Sequence, residues 1–203
     1  MDDINLYRGR DFTKLISYQR TLVVYTATFR FVERFLELGD RTRDQMVQAA
    51  RSGKQNIIEG AKASAGSKED EMFLTNVALA SLAELKEDYL DYLRVRNFRI
   101  WEKDSKEAEY VRKLCRKNGG TYEVYRVFVE TRTGDVVANI MLTVINQAEY
   151  LLTRQLNGLV KKFLKEGGVK ENLMRMRLAA REEQRRKKNR DNRKDTDGNI
   201  EKP

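Results

Sequence analysis

One proline in 203 residues constrains this chain more than any other feature. A typical soluble domain carries about 5% proline. Proline removes a backbone donor and clashes with the preceding turn, so it interrupts helices. Its near absence, with Leu, Ala, Glu, Lys, Arg and Gln abundant, predicts an all-α fold. Apolar residues make up 40% of the chain and charged residues 35%. That suffices for a core, although the charged share exceeds the roughly 25% of an average domain. The length suits one domain, or one domain with a tail.

The residue inventory narrows the chemistry. There is no histidine, and Cys115 is the single cysteine. A structural zinc site draws on several Cys and His ligands, and the common nucleophile and general-base arrangements use histidine. An intrachain disulfide is impossible. No metal or cofactor is expected, and catalysis is open only to carboxylates or lysines. The N-terminal "MDDINLYRGRDF" is charged and lacks the apolar segment of a signal peptide. No run approaches the ~20 apolar residues that cross a bilayer. A cytoplasmic, reducing setting without a membrane partner is the expectation.

Apolar spacing predicts a first helix over about 15–38, with Leu22, Tyr25, Phe29, Val32 and Leu36 in one stripe and Val24, Phe31 and Phe35 in a second. Gly39 suits its end. Thr42 and Gln45 read as a capping box for the next helix, in which Met46, Ala49, Ala50, Gly53 and Ile57 share a face. Ser67 with Asp70 signals another start. From there Leu74, Ala78, Leu82, Leu85, Tyr89 and Leu93 form one stripe, and Phe73, Val77 and Ala80 another. A short helix over 105–118 stops at Gly119 and Gly120. "YEVYRVFVET" has strand-like composition, but a lone strand finds no partner, so helix is expected. Gly134 and Asp135 mark a turn and cap before a long helix over about 136–165. Ile140, Val144, Leu151, Leu152, Leu159 and Phe163 should face inward there. The expected layout is an N-terminal arm (1–14), an antiparallel four-helix bundle (15–166) and a basic suffix (167–203), disordered from about residue 189.

Residues 50–71, "ARSGKQNIIEGAKASAGSKEDE", resemble an active site at first sight. A Walker phosphate loop requires G-x-x-x-x-G-K-[ST] between a strand and a helix. Gly60 and Gly66 are one residue too far apart, Ser67 precedes Lys68, and no strand leads in. The better reading is a helix whose Gly53, Asn56 and Gly60 permit a tight crossing. Asn56 and Glu59 would then need buried partners, for which Ser81 and Glu84 are the candidates. Glu59 with Glu84 is also the one pair that a carboxylate-based hydrolase would use. A di-metal bundle would add Glu-x-x-His ligands, and there are none.

"QMVQAARSGKQNIIEG" followed by "LTNVALASLAEL" resembles the signature of a bacterial four-helix-bundle family, the ribosomal-RNA intervening-sequence proteins. That family includes the accessory protein of diversity-generating retroelements. The resemblance rests on Gln45, Ala49, Ala50, Ser52, Asn56, Ile57, Glu59, Gly60, Ala78, Ser81, Glu84 and Leu85, within about residues 15–95. The family pattern Ser-Ile-Pro-x-Asn is replaced here by Ser52-Gly53-Lys54-Gln55-Asn56. The resemblance implies an antiparallel bundle assembling as a homo-oligomer, a pentamer, with a basic surface for nucleic acid and a reverse transcriptase as a possible partner.

Two basic features point to polyanions apart from that resemblance. Residues 175–194 hold ten Lys or Arg against three acids, most of the chain's net +9. The candidate phosphate-binding residues are Arg175, Arg177, Arg181, Arg185, Arg186, Lys187, Lys188 and Arg190; the alternative is a solubilising tail. In "RVRNFRIW", Arg94, Arg96 and Arg99 alternate with Phe98 and Trp101, which could stack on bases or close the end of the core. Neither patch carries a base-reading motif, so binding would be directed to the backbone of DNA or RNA. The expected function is a non-enzymatic, oligomeric nucleic-acid-binding accessory; the alternatives are a protein-interaction scaffold and the carboxylate hydrolase.

Overall fold

A computed structural model describes residues 9–117 and 120–197. Among them the chain is all-α, with no strand. A 3-10 turn, Phe12–Lys14, leads into α1 (Ile16–Phe35), α2 (Arg41–Ala63), α3 (Lys68–Arg94), α4 (Lys106–Lys117), α5 (Tyr122–Thr131), α6 (Gly134–Glu166) and α7 (Val169–Asp197). The strand-like "YEVYRVFVET" is helical as α5, with Tyr125 and Val129 buried.

The fold is a helical bundle. α1 packs on α2 and α6, and α3 packs on the same two helices, while α4 and α5 add Val111, Tyr125 and Val129 to one shared core. Phe31, Met46, Ile57, Leu82, Leu85, Tyr89, Met141, Ile145 and Leu152 are fully buried in it. The rings of Tyr89 and Tyr92 each lie 4.9 Å from Phe31. The Tyr89 hydroxyl donates to Thr28 Oγ1 at 3.0 Å, satisfying the one polar atom that this buried ring carries inward. One 18-residue window within Gly134–Arg190 is apolar enough by composition to cross a membrane, contrary to expectation. Since 61% of that window is buried inside the protein, core packing accounts for it.

The close crossing of α2 and α3 depends on two glycines. A Cβ at Gly53 would stand 3.1 Å from Leu82 Cδ2, and one at Gly60 would stand 3.3 Å from Leu74 Cβ and 3.4 Å from the Glu71 carbonyl. Met46, Ala49, Ala50, Gly53 and Ile57 are all buried, as their spacing predicts.

Several expectations are corrected. In α1 the buried stripe is Val23, Val24, Ala27, Phe31 and Val32, whereas Leu22 and Phe29 are exposed. Both rows have helical spacing, and only the positions of α2 and α6 choose between them. In α3 the second stripe faces mostly outward: Phe73 is 66% exposed and Ala80 is exposed too, while Val77 is half-buried. α2 is capped by Asp40, whose carboxylate accepts from the Thr42 N–H at 2.9 Å. Aspartate caps as well as threonine and comes two residues sooner. Ser67 does cap α3, accepting from the Asp70 N–H at 3.0 Å. Gly134 is the first residue of α6 rather than a turn, and a Cβ there would collide with the Tyr92 hydroxyl. Leu151 and Phe163, expected inward on α6, are only half-buried.

The suffix differs most from expectation. Disorder is expected from residue 189, but α7 is helical through Asp197; residues 198–203 lie outside the described residues. Its Ala, Leu, Met, Glu, Gln, Lys and Arg favour helix even where nothing is buried. Glu171–Arg175 at 3.8 Å and Glu183–Lys187 at 3.0 Å add i,i+4 support.

Candidate nucleic-acid interface

α7 leaves the bundle through Gly167 and Gly168. Gly167 has φ +74°, a left-handed value that ends α6 with its N–H donating to the Phe163 carbonyl at 2.8 Å. The joint is held by Lys68, whose Nζ donates to Glu166 Oε2 at 3.1 Å and to the Gly167 carbonyl at 3.2 Å. Gly168 N–H donates to Glu171 Oε2 at 3.1 Å and starts the new helix. Beyond that joint every residue from Met174 to Arg190 is exposed.

The eight basic residues predicted in the tail fall on two sides of this helix. Arg177, Arg181, Arg185 and Lys188 are spaced by four, four and three, which at 100° per residue aligns them in one row. None of the four takes part in an ion pair among the described residues. Glu182 and Glu183 fall on the other side with Arg175, Arg186, Lys187 and Arg190. There Arg175 and Lys187 are already paired with Glu171 and Glu183. Of the six of these cations without an ion pair among the described residues, four therefore share a single row about 16 Å long, from eleven steps of 1.5 Å rise, and Arg186 and Arg190 lie on the other side.

The three arginines of the second basic patch each make a contact within the protein. Arg94 Nη1 lies 3.2 Å from Glu87 and 3.1 Å from Asp91. The Arg96 guanidinium sits 4.1 Å over the Tyr92 ring, and Arg99 pairs with Glu107 at 3.1 Å. Trp101 packs against the core at the end of the bundle, and Phe98 lies near Tyr92. Asn139 was invisible as a functional residue in the sequence, yet it fixes this segment. Buried on α6, it accepts from the Trp101 N–H at 2.7 Å and donates to the Arg99 carbonyl at 2.8 Å.

The α2/α3 motif residues form a small polar relay. Ser81 donates to the Val77 carbonyl at 3.0 Å, so Ser52 supplies the proton of the 2.9 Å Ser52–Ser81 bond. Asn56 in turn donates to Ser52 at 3.1 Å. Asn56 thus reaches Ser81 through Ser52. Gly60 is buried, but Glu59 and Glu84 are both exposed and share no hydrogen bond. That corrects the expectation of buried partners for Glu59, and the pair forms no enclosed acid–base site. Among the described residues, no three Cys, Asp or Glu side chains gather to hold a metal ion.

Two buried ionisable groups, Glu71 and Arg20, and the half-buried Asp88 carried no sequence signal. Glu71, 2% exposed, meets Arg10 at 3.1 Å. Burial pushes its carboxyl up, while Arg10, Lys162 and Lys68 pull it down. Arg20 is buried on α1 and donates to the Gly120 carbonyl at 3.1 Å and the Tyr125 hydroxyl at 3.3 Å. The carboxyl of Asp88 is pushed up to about 6 by burial and by the negative neighbours Glu84 and Asp91. Each looks like an ordinary surface charge in sequence, because partial burial of a polar residue follows from neighbouring helices and not from local spacing.

No family model matches this sequence, and no curated protein or solved structure matches it either.

Proposed function

We propose that this protein is a non-enzymatic nucleic-acid-binding accessory that uses α7 as its binding element. The observation that carries the reading is the single row of exposed Arg177, Arg181, Arg185 and Lys188 on a helix projecting from the bundle. Such a row neutralises phosphates and releases counterions without reading bases. Arg94, Arg96 and Arg99 contribute little on this reading, since each is engaged within the chain.

The bundle would be an antiparallel four-helix body of α1, α2, α3 and α6. The short connections after α1 and α2 support that topology, with α4 and α5 as an excursion that returns the chain to α6. The resemblance to the intervening-sequence family adds a homo-oligomer, a pentamer, in a bacterial cytoplasm, with a reverse transcriptase as one partner. Several copies of α7 on one assembly would raise avidity well beyond that of one helix. Light scattering tests the assembly, and a monomer would remove the avidity argument.

The deciding experiment is binding of duplex DNA and RNA at about 50 mM salt, where electrostatic contacts are strongest. Binding that disappears on removing residues 175–203 supports the reading; no binding by the full chain rejects it. A protein-interaction scaffold is the second reading, favoured by the outward-facing Phe73 and Leu164, 66% and 78% exposed. In that case partner capture survives loss of the suffix and is lost on F73S or L164S.

A further inference from the structure

The pocket between α4, α5 and the start of α6 is unrelated to the basic helix and to the polar relay. α4 rests on α6 while α5 rests on α1, so the two short helices do not close on each other. The space left measures about 440 Å³, within the roughly 300–1,000 Å³ of small-molecule sites. Trp101, Tyr110, Leu114, Phe128, Val136 and Ile140 line it. The Tyr110 and Phe128 rings stand edge to face, 6.3 Å apart at 72°. An apolar, aromatic lining of this kind favours a ligand body of hydrocarbon or aromatic carbon.

The charged groups at this pocket define the other end of the ligand. Lys106, Glu107 and Arg132 line it with their hydrocarbon stems, since almost none of its surface is polar, and their charged ends lie outside the apolar lining. Glu107 is already paired with Arg99 at 3.1 Å. Lys106 and Arg132 are exposed, and neither takes part in an ion pair among the described residues. The Arg132 carbonyl accepts from Arg34 at 3.3 Å, which ties that stretch of backbone to α1. Two cations beside a carbon-lined cavity complement one anionic group on an apolar body.

We propose that this pocket binds a small amphiphilic acid, with its apolar body against Trp101, Tyr110 and Phe128 and its carboxylate at Lys106 and Arg132. The site operates independently of nucleic-acid binding by α7.

The chain provides its own reporter, because Trp101 is its one tryptophan. Titrating the full-length protein with dodecanoate, kept below its micellar range, should give a saturable change in Trp101 emission. Dodecanol, of equal chain length but uncharged, should bind several-fold more weakly. The double variant K106Q/R132Q should lose about fivefold to tenfold in dodecanoate affinity, as expected for two partly exposed ion pairs, and retain its dodecanol affinity. An unchanged Trp101 spectrum overturns the site. Equal binding of acid and alcohol by the unaltered protein overturns the assignment of the charged end, whatever the variant does. Dodecanoate affinity that survives K106Q/R132Q overturns the roles of those two residues.

Discussion

The basic row on α7 predicts a number as well as a location. Each phosphate neutralised on duplex DNA contributes about −0.9 to the slope of log affinity against log salt. If one protomer engages only Arg177, Arg181, Arg185 and Lys188, the slope is about −3.6. Raising salt from about 50 to 200 mM then weakens binding by roughly 150-fold. If the opposite side joins in, the eight candidate cations would act together, with a slope near −7 and a loss on the order of 10⁴-fold. The side bearing Glu182 and Glu183 should contribute less, since Arg175 and Lys187 already have carboxylate partners. Replacing Arg177, Arg181, Arg185 and Lys188 with Gln should therefore flatten the slope by about 3.6 per protomer. The matching replacement of Arg175, Arg186, Lys187 and Arg190 should flatten it less. Fluorescence anisotropy with a labelled duplex over a salt series measures both. All four cations of either set are solvent-facing, so circular dichroism should show an unchanged fold. Equal flattening by the two sets would refute the one-row argument. A slope that neither set alters would refute α7 as the binding element.

Three further outcomes test the bundle itself. Tyr89→Phe removes the 3.0 Å bond to Thr28 in a fully buried site, and should cost about 1–2 kcal/mol. The double variant with Thr28→Val should cost less than the sum of the singles; urea unfolding that shows strict additivity would contradict the paired hydrogen bond. Gly60→Val sets a branched Cβ against Leu74 and the Glu71 carbonyl, and should destabilise by roughly 1–3 kcal/mol. A thermal midpoint equal to that of the unaltered protein would mean α2 and α3 are less close than they look. For Asp88, the folded protein holds its proton up to about 6, against 3.8 for the free group. The unfolded chain releases its proton first, so the stability contributed by protonated Asp88 is full below about pH 4 and is lost as pH rises through 6. Unscreened, that displacement corresponds to about 3 kcal/mol; in a half-buried group facing water about 1 kcal/mol remains. Asp88→Asn should therefore stabilise at pH 7 and make little difference at pH 4, and the opposite pH pattern would contradict the assignment.

Parts of this structure were legible because they depend on one helix at a time. Ser67 caps α3 as its place before the acidic turn indicates, and α5 is helical despite its β-branched residues. The small face of α2 could also be read, since Gly53 and Gly60 have few uses in a helix other than close approach. The apolar rows of α1 and α3 could not be ranked. Phe29 and Phe31, or Phe73 and Leu82, are equally apolar, and only the neighbouring helices decide which is covered. In the candidate interface, the residue types of the tail were legible, but not its division into an acid-free row and a compensated one. That division requires residues 171–188 to be helical, which their composition allowed, and it became definite only once α7 was seen to run unbroken through them.

The sequence by itself determined that this chain is all-α, poor in the side chains of metal and histidine chemistry, and strongly basic near one end. Those properties follow from composition and short-range spacing, which act within a turn or two of the backbone. Tertiary structure alone decided that Arg94, Arg96 and Arg99 are engaged within the protein, that Asn139 holds the segment around Trp101, and that Glu59 and Glu84 lie apart on the surface. It also opened the pocket beside α4, because that helix leans on α6 rather than α5. Each of these depends on residues tens of positions apart meeting in space, and burial, pairing and enclosure are properties of such meetings.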